Sequence, residues 1–269
     1  MLERFGAGLR IGVSAQALTL VRSSRWRGAA VLAELALDGH APGAPERLAP
    51  ALRQLLQGQR GLPLTIVLDD ALVRLWQVVP PQGATRLGDV KAAAALRFQS
   101  LYGEAPAAWC VTADWDAGAP FFAAALPRTL LALLEAAARD AHCGIVEIAP
   151  QFIHAWNRWH RALKPGAWFA LAHEGLLTLG AGDGRRLSAL RSVPLPAAND
   201  LAWLQAQVAR EALRLNLAVP QQVQACGQVP PAWTAGAATE GGFGCSRLDQ
   251  ARAGTPSAGA LLAQTGLPA

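Results

Sequence analysis

A chain of 269 residues can build one large domain or two modest ones, each with its own core, and its 52% apolar content contains no uninterrupted run of the roughly 18 apolar residues a membrane-spanning helix needs. The net charge of +5 permits attraction to nucleic acid or anionic lipid, but the arginines are dispersed rather than gathered into a stripe, so no nucleic-acid partner is expected. Four scattered cysteines (Cys110, Cys143, Cys226 and Cys245) form no C-x-x-C pair and read as reduced, mostly buried thiols, while the N-terminal MLERFGAGLR lacks the apolar stretch of a secretion signal, so a cytoplasmic protein is expected.

Along the chain, residues 9–13 and 17–21 alternate as strands around a turn at 14–16, and 29–37 supplies a third strand of a meander. Residues 45–57 carry leucines at helical spacing (Leu48, Leu52, Leu55, Leu56). The run LTIVL at 64–68 is too short for a helix and has the profile of a strand buried on both faces. A strand at 73–79 stops at Pro80-Pro81, and an amphipathic helix follows over 85–102. Strands are predicted at 109–114 and 120–125, a helix at 127–143 with Pro127 in its first turn, a strand at 143–148 and a helix at 151–162 in which Trp156 and Trp159 share the core-facing side.

Near Lys164-Pro165-Gly166 the pattern restarts: strands at 167–173, 176–181 and 187–193, a helix at 200–215 capped by Asn199 or Asp200, and a strand at 222–226. After Pro230 the chain is rich in Gly, Ala and Pro, and irregular packing is expected. Two β-β-β-α units argue for two similar halves with a ligand cleft between them. The expected division is a first lobe with an inserted small subdomain at 1–163, a second lobe at 164–230, and a partly irregular segment at 231–269.

Three passages carry a resemblance: LRIGVSAQALTLV, then LTIVLDDALVRLWQVVPPQGATRLGDVKAAAALRFQSLYGEAP, then FFAAALPRTLLALLEAAARDAHCGIVEIAPQFIHAWNRW. Through them, about residues 9–227 resemble the actin-like PilM/GspL group, the cytoplasmic scaffolds of type IV pilus and type II secretion machines. The resemblance implies a two-lobed actin-like α/β fold, a duplicated ribonuclease H-like arrangement of mixed sheets and flanking helices. It further implies a non-catalytic cytoplasmic adaptor at the inner face of the inner membrane. Such an adaptor holds the short cytoplasmic tail of a PilN-like bitopic protein, communicates with the assembly ATPase, and meets the membrane only through partners. GspL continues into a membrane span and PilM does not, so PilM is the nearer likeness. Typical PilM proteins are longer and keep more of the nucleotide motifs, so nucleotide binding does not carry over. The alternative is a degenerate or atypical ATP-dependent kinase or ATPase of the same fold.

In the actin-like pattern the first hairpin reads Asp-x-Gly, the acid handling the metal of a nucleotide. Here Arg10-Ile11-Gly12-Val13-Ser14 puts a cation at that place, with a turn and a hydroxyl but no acid. His173-Glu174-Gly175 is the matching stretch of the second half, and Glu174, offset by one, is expected to face the other way. Gly227 falls where an adenine-contacting glycine pair would lie. Arg10, Gly12, Ser14, His173, Gly175 and Gly227 thus mark a degenerate nucleotide site, with no catalytic residue, no metal and no cofactor expected.

Asp69-Asp70 reads as a strand ending in a turn, with a metal or base role as the other reading. Glu147 is expected on a solvated strand face, and the glycines at 241, 242 and 244 lack the strand and helix of a phosphate loop. Arg74, Trp76, Arg97, Phe98 and Tyr102 are of the types enriched at interface hot spots. An exposed Arg74-x-Trp76 edge would add a partner's strand. Equally, Trp76 would pack beneath the 85–102 helix.

Overall fold

The computed structural model describes residues 7–24, 28–37, 45–183, 186–235, 242–249 and 256–267, and divides the chain into two compact units, residues 1–150 and 151–269. In the first, β1 (Ala7–Val13), β2 (Ala17–Ser24) and β3 (Gly28–Ala36) form an antiparallel meander, and β4 (Pro63–Leu68) and β8 (Gly144–Pro150) add in parallel, giving the order β3-β2-β1-β4-β8. Strand alternation sorts the faces. Leu9, Ile11 and Val13 on β1 and Leu64, Ile66 and Leu68 on β4 bury against the leucines of α1 (Pro45–Leu56) and α3 (Arg128–Asp140). Arg10 and Gly12 take the opposite face in register with Thr65 and Val67.

Between β4 and α3 lies an inserted subdomain of β5 (Arg74–Val78), α2 (Leu87–Tyr102), β6 (Trp109–Ala113) and β7 (Phe121–Pro127). Its antiparallel sheet has the order β5-β7-β6, so β5 is an edge strand. Trp76 and Val78 pack with Val90, Ala94 and Phe98 of α2 in a core of their own.

The second unit repeats the first topology. Strands β9 (Trp168–His173), β10 (Leu176–Gly182) and β11 (Leu187–Pro194) form a meander, β12 (Gln222–Gly227) pairs with β9 in parallel, and β13 (Gly244–Arg247) completes the order β11-β10-β9-β12-β13. Helix α5 (Leu201–Leu215) buries Leu204, Val208 and Ala212 on this sheet beside Trp233 of the short α6 (Pro231–Thr234). α4 (Gln151–Trp159) sets Phe152 and Trp156 against Phe169, with ring centroids 5.5 and 5.8 Å apart.

Two expectations change. The unit boundary lies at Pro150–Gln151 rather than at 163–164, because the aromatic face of α4 packs on β9. Among the described residues after Pro230 there is more regular structure than the composition suggests. β13 is a sheet strand and α7 (Ala258–Gln264) a helix, capped by the Ser257 hydroxyl accepting from the Ala260 N–H. Trp159 is only half-buried, with the Arg158 guanidinium 4.9 Å over its ring, so of the tryptophan pair Trp156 alone is core.

Candidate functional site

The first hairpin closes after Val13, whose last antiparallel partner is Leu18. Ser14 donates its N–H to the Ala17 carbonyl at 3.0 Å, and its hydroxyl accepts from the N–H groups of Gln16 and Ala17, both at 3.1 Å. A serine at this place therefore ties the turn to itself. Gly12 lies inside β1, paired with Thr19, and not in the turn. Arg10 lies two residues further from the turn and is buried. Burial pulls its pKa down, and the charge of Glu147 opposes that shift. The register explains the pairing of effects: Arg10 lies beside Thr65 on β4, and Thr65 beside Glu147 on β8, so cation and carboxylate flank one threonine on one sheet face. Glu147 itself is exposed, as expected.

At the carboxyl end of β4, Asp69 donates its N–H to the Val13 carbonyl at 2.9 Å, and its carboxylate accepts from the Ala71 N–H at 2.8 Å. It is the N-cap of a 3-10 turn over Asp70–Leu72, the turn-forming role read from the sequence. Both aspartates are buried.

The second hairpin differs in kind. His173 is the last residue of β9, paired with Leu176, and Glu174 and Gly175 take positive φ values of 41° and 77°. Two successive left-handed residues make the tight two-residue turn that matches strand twist, and glycine suits the second position. Register shows that His173 corresponds to Val13, each the last paired residue before its turn, while Arg10 lies three positions earlier. The expected equivalence of Arg10 with His173, and of Gly12 with Gly175, does not hold. Identical Xaa-x-Gly spacing conceals turns of different length.

Glu174, expected to face away, is a turn residue whose Oε1 lies 3.9 Å from His173 Nε2. Its N–H donates to Gln228 Oε1 at 2.6 Å. Burial lowers the His173 pKa to about 4, so its imidazole is neutral at physiological pH.

Gly227 ends β12 at φ 86°, where an added Cβ would lie 2.4 Å from the Ala172 carbonyl oxygen, so only glycine fits. Its N–H donates to Asp249 Oδ2 at 2.9 Å, its carbonyl accepts from Arg247 Nη2 at 2.8 Å, and Arg247 Nε donates to Asp249 Oδ1 at 2.8 Å. Arg247 and Asp249 thus clamp both backbone groups of Gly227. The sequence reading missed them because they lie in the stretch expected to be irregular. The alternation of Cys245, Ser246 and Arg247 was the available signal, and it was short. Of the glycine cluster, Gly241 lies outside the described residues, and Gly244 begins β13, donating its N–H to the Gln221 carbonyl at 3.0 Å. That is a sheet position rather than a phosphate loop.

In the inserted subdomain, Trp76 and Phe98 are 2% and 0% exposed, with ring centroids 5.2 Å apart. The reading of Trp76 as an exposed contact is corrected: it packs beneath α2, because alternation places it with Val78 on the helix side of β5. Arg74, on that same side at the strand's end, reaches the surface. Its guanidinium lies 5.5 Å from the Tyr102 ring centroid and 5.2 Å from that of Trp109, with Nη2 3.2 Å from Glu104 Oε1. The Tyr102 hydroxyl donates to the Leu75 carbonyl at 2.9 Å. Arg74, Tyr102, Trp109 and Glu104 thus form a half-buried cluster beside the terminal strand of the sheet, and Arg97 is exposed elsewhere on α2. Glu104 and Trp109 were not singled out beforehand, since only the fold brings them to Arg74.

No family model matches the sequence, and no curated protein matches it. Solved structures do. The chain is similar to the cytoplasmic domain of EpsL, an inner-membrane component of the type II secretion system of Vibrio cholerae, at TM-score 0.60 and 12% identity over 97% of this chain and 95% of that one. It is similar to a Bacteroides thetaiotaomicron protein with an actin-like ATPase fold and unknown function, at TM-score 0.58 and 9% identity over 86% and 85%. It also resembles a chain of the PilM–PilN type IV pilus biogenesis complex, at TM-score 0.51 and 18% identity over 79% and 66%. At these identities the likeness is one of fold. The protein has the actin-like α/β fold expected from its sequence.

Proposed function

We propose that this protein is a non-catalytic, partner-binding component of the inner-membrane platform of a type II secretion or type IV pilus machine. It would work at the cytoplasmic face and bind the short cytoplasmic segment of a PilN-like bitopic protein, with the assembly ATPase as a further contact. The fold shared with the EpsL cytoplasmic domain along nearly the whole chain supports the setting. No helix among the described residues is long and apolar enough to cross a membrane.

The observation that carries the non-catalytic reading is the clamp at Gly227. The backbone groups that a nucleotide base would approach are already bonded to Asp249 and Arg247, and displacing a charge-assisted bond costs more than a neutral one would. Ser14 likewise spends its hydroxyl on its own turn. The binding reading rests on β5, the terminal strand of its sheet, with the Arg74 guanidinium held beside it by two aromatic rings and a carboxylate.

The test is calorimetric titration with a synthetic peptide of the N-terminal cytoplasmic segment of a PilN-like protein. Binding that weakens about tenfold or more in Arg74→Ala is the expected result, and no binding to the native protein overturns it. One observation favours the alternative ATPase reading, the two buried aspartates at the carboxyl end of β4. A thermal shift with Mg-ATP that disappears in Asp70→Asn would establish that reading instead.

A further inference from the structure

Helix α5 is apolar on more than its buried side. Leu204, Val208 and Ala212 face the second sheet, yet the outward face ends in Leu213, 82% exposed, followed by Leu217 and Val219, which are 38% and 53% exposed. Three large aliphatic side chains exposed within seven residues, at the end of one helix and in the segment after it, mark a candidate contact surface. Two exposed arginines, Arg210 and Arg214, stand on the same helix among these residues.

The single acid of α5, Glu211, is fully buried and does not answer them at the surface. It accepts from Gln207 Nε2 at 3.0 Å, from Arg214 Nη1 at 2.8 Å and from Arg191 Nε, on the neighbouring edge strand β11, at 3.2 Å. A fully buried carboxylate thus holds two half-exposed arginine side chains by one donor each, and each guanidinium has further N–H donors beyond that one. Three arginines against one acid leave the patch net cationic, and the forked guanidinium geometry matches phosphate oxygens.

We propose that this face of the second unit lies directly on a bilayer of anionic phospholipid. Arg191, Arg210 and Arg214 take headgroup phosphates, while Leu213, Leu217 and Val219 enter the boundary between headgroups and acyl chains. The pairing of aliphatic tips with guanidiniums selects this occupant: a nucleic-acid backbone offers the phosphates but nothing for three aliphatic side chains. The contact is additional to any attachment through a membrane protein partner. It does not rest on the reading of the β5 edge, which lies in the other unit.

The experiment is flotation of the full chain with vesicles of phosphatidylcholine alone and of phosphatidylcholine with about 30% phosphatidylglycerol. Binding at least about tenfold stronger to the anionic vesicles, falling steeply between about 0.05 and 0.5 M salt, is expected. Arg210→Glu with Leu213→Ser should abolish it. Neither residue belongs to the Glu211 cluster, so the variant keeps its fold, which circular dichroism verifies. Arg139→Glu on α3 changes charge equally and should leave binding as it was. Equal flotation with both vesicles, undiminished binding by the double variant, or the same loss in Arg139→Glu each overturns the proposal. Retention of duplex DNA through these arginines, with vesicles left unbound, would assign the face to nucleic acid instead.

Discussion

The Trp76 side chain separates two effects that one substitution usually mixes. Its ring fills the centre of the small core under α2, packed edge-on against Phe98 and Tyr102 at centroid distances of 5.2 and 6.3 Å, yet its Nε1–H is buried with no hydrogen-bond partner. Truncating Trp76→Ala removes the packing and should cost about 3–5 kcal/mol in urea denaturation. Trp76→Phe keeps much of the ring and removes the unsatisfied donor, so its cost should stay within about 1.5 kcal/mol. If both cost the same, the ring is not what holds α2 to its sheet. His173 offers a second prediction at this scale. Its pKa is about 4 in the folded state against an ordinary 6.5, so between these values the unfolded chain binds more protons. The contribution of the neutral ring is complete above pH 6.5 and falls as pH drops toward 4, by up to about 3 kcal/mol. Chemical denaturation across that range should show a steeper loss for the native protein than for His173→Gln, and parallel curves would refute the burial of a neutral imidazole.

Elements were legible where local chemistry agreed with tertiary demand. The start of α5 is a clear case: of the two candidate caps, Asp200 serves, its carboxylate accepting from the Trp203 N–H at 2.8 Å. Asp200→Ala should therefore lower stability by about 1 kcal/mol, read as a shift of the urea midpoint at constant slope. The meanders were equally readable, since alternation and turn residues act within a few positions of each other. Less legible was anything set by register. Arg10-x-Gly12 and His173-x-Gly175 share a spacing, but only strand pairing shows that one glycine is inside a strand and the other inside a turn. Exposure of Trp76 was undecidable for a related reason, because alternation gives two faces without saying which one a distant helix covers. β13 escaped notice because a four-residue strand that is paired on one side by β12 needs its partner to exist at all. For the candidate site the same division holds: the residue types on the β5 edge were visible in the chain, whereas Glu104 and Trp109 beside Arg74 required the fold.

At the scale of the whole molecule, the duplicated strand order means that each unit carries its own sheet and its own apolar core. The position of the boundary then becomes an experimental question about α4. Phe152 is fully buried and Trp156 nearly so. Phe152 reaches so close to β10 that a Cβ on Gly180 would lie 2.8 Å from its ring, so the strand carries a glycine where the aromatic lands. A fragment beginning at Lys164 would lose both aromatics and leave Phe169, otherwise fully buried, without the rings packed against it. Two large aromatic side chains removed from a core correspond to several kcal/mol, on the order of the whole stability of a small domain. A fragment of residues 151–269 should therefore express as a folded species with a cooperative urea transition, while one of residues 164–269 should unfold at markedly lower denaturant or fail to stay soluble. Equal midpoints for the two would move the boundary back to 163–164 and make α4 a connecting helix rather than part of the second core.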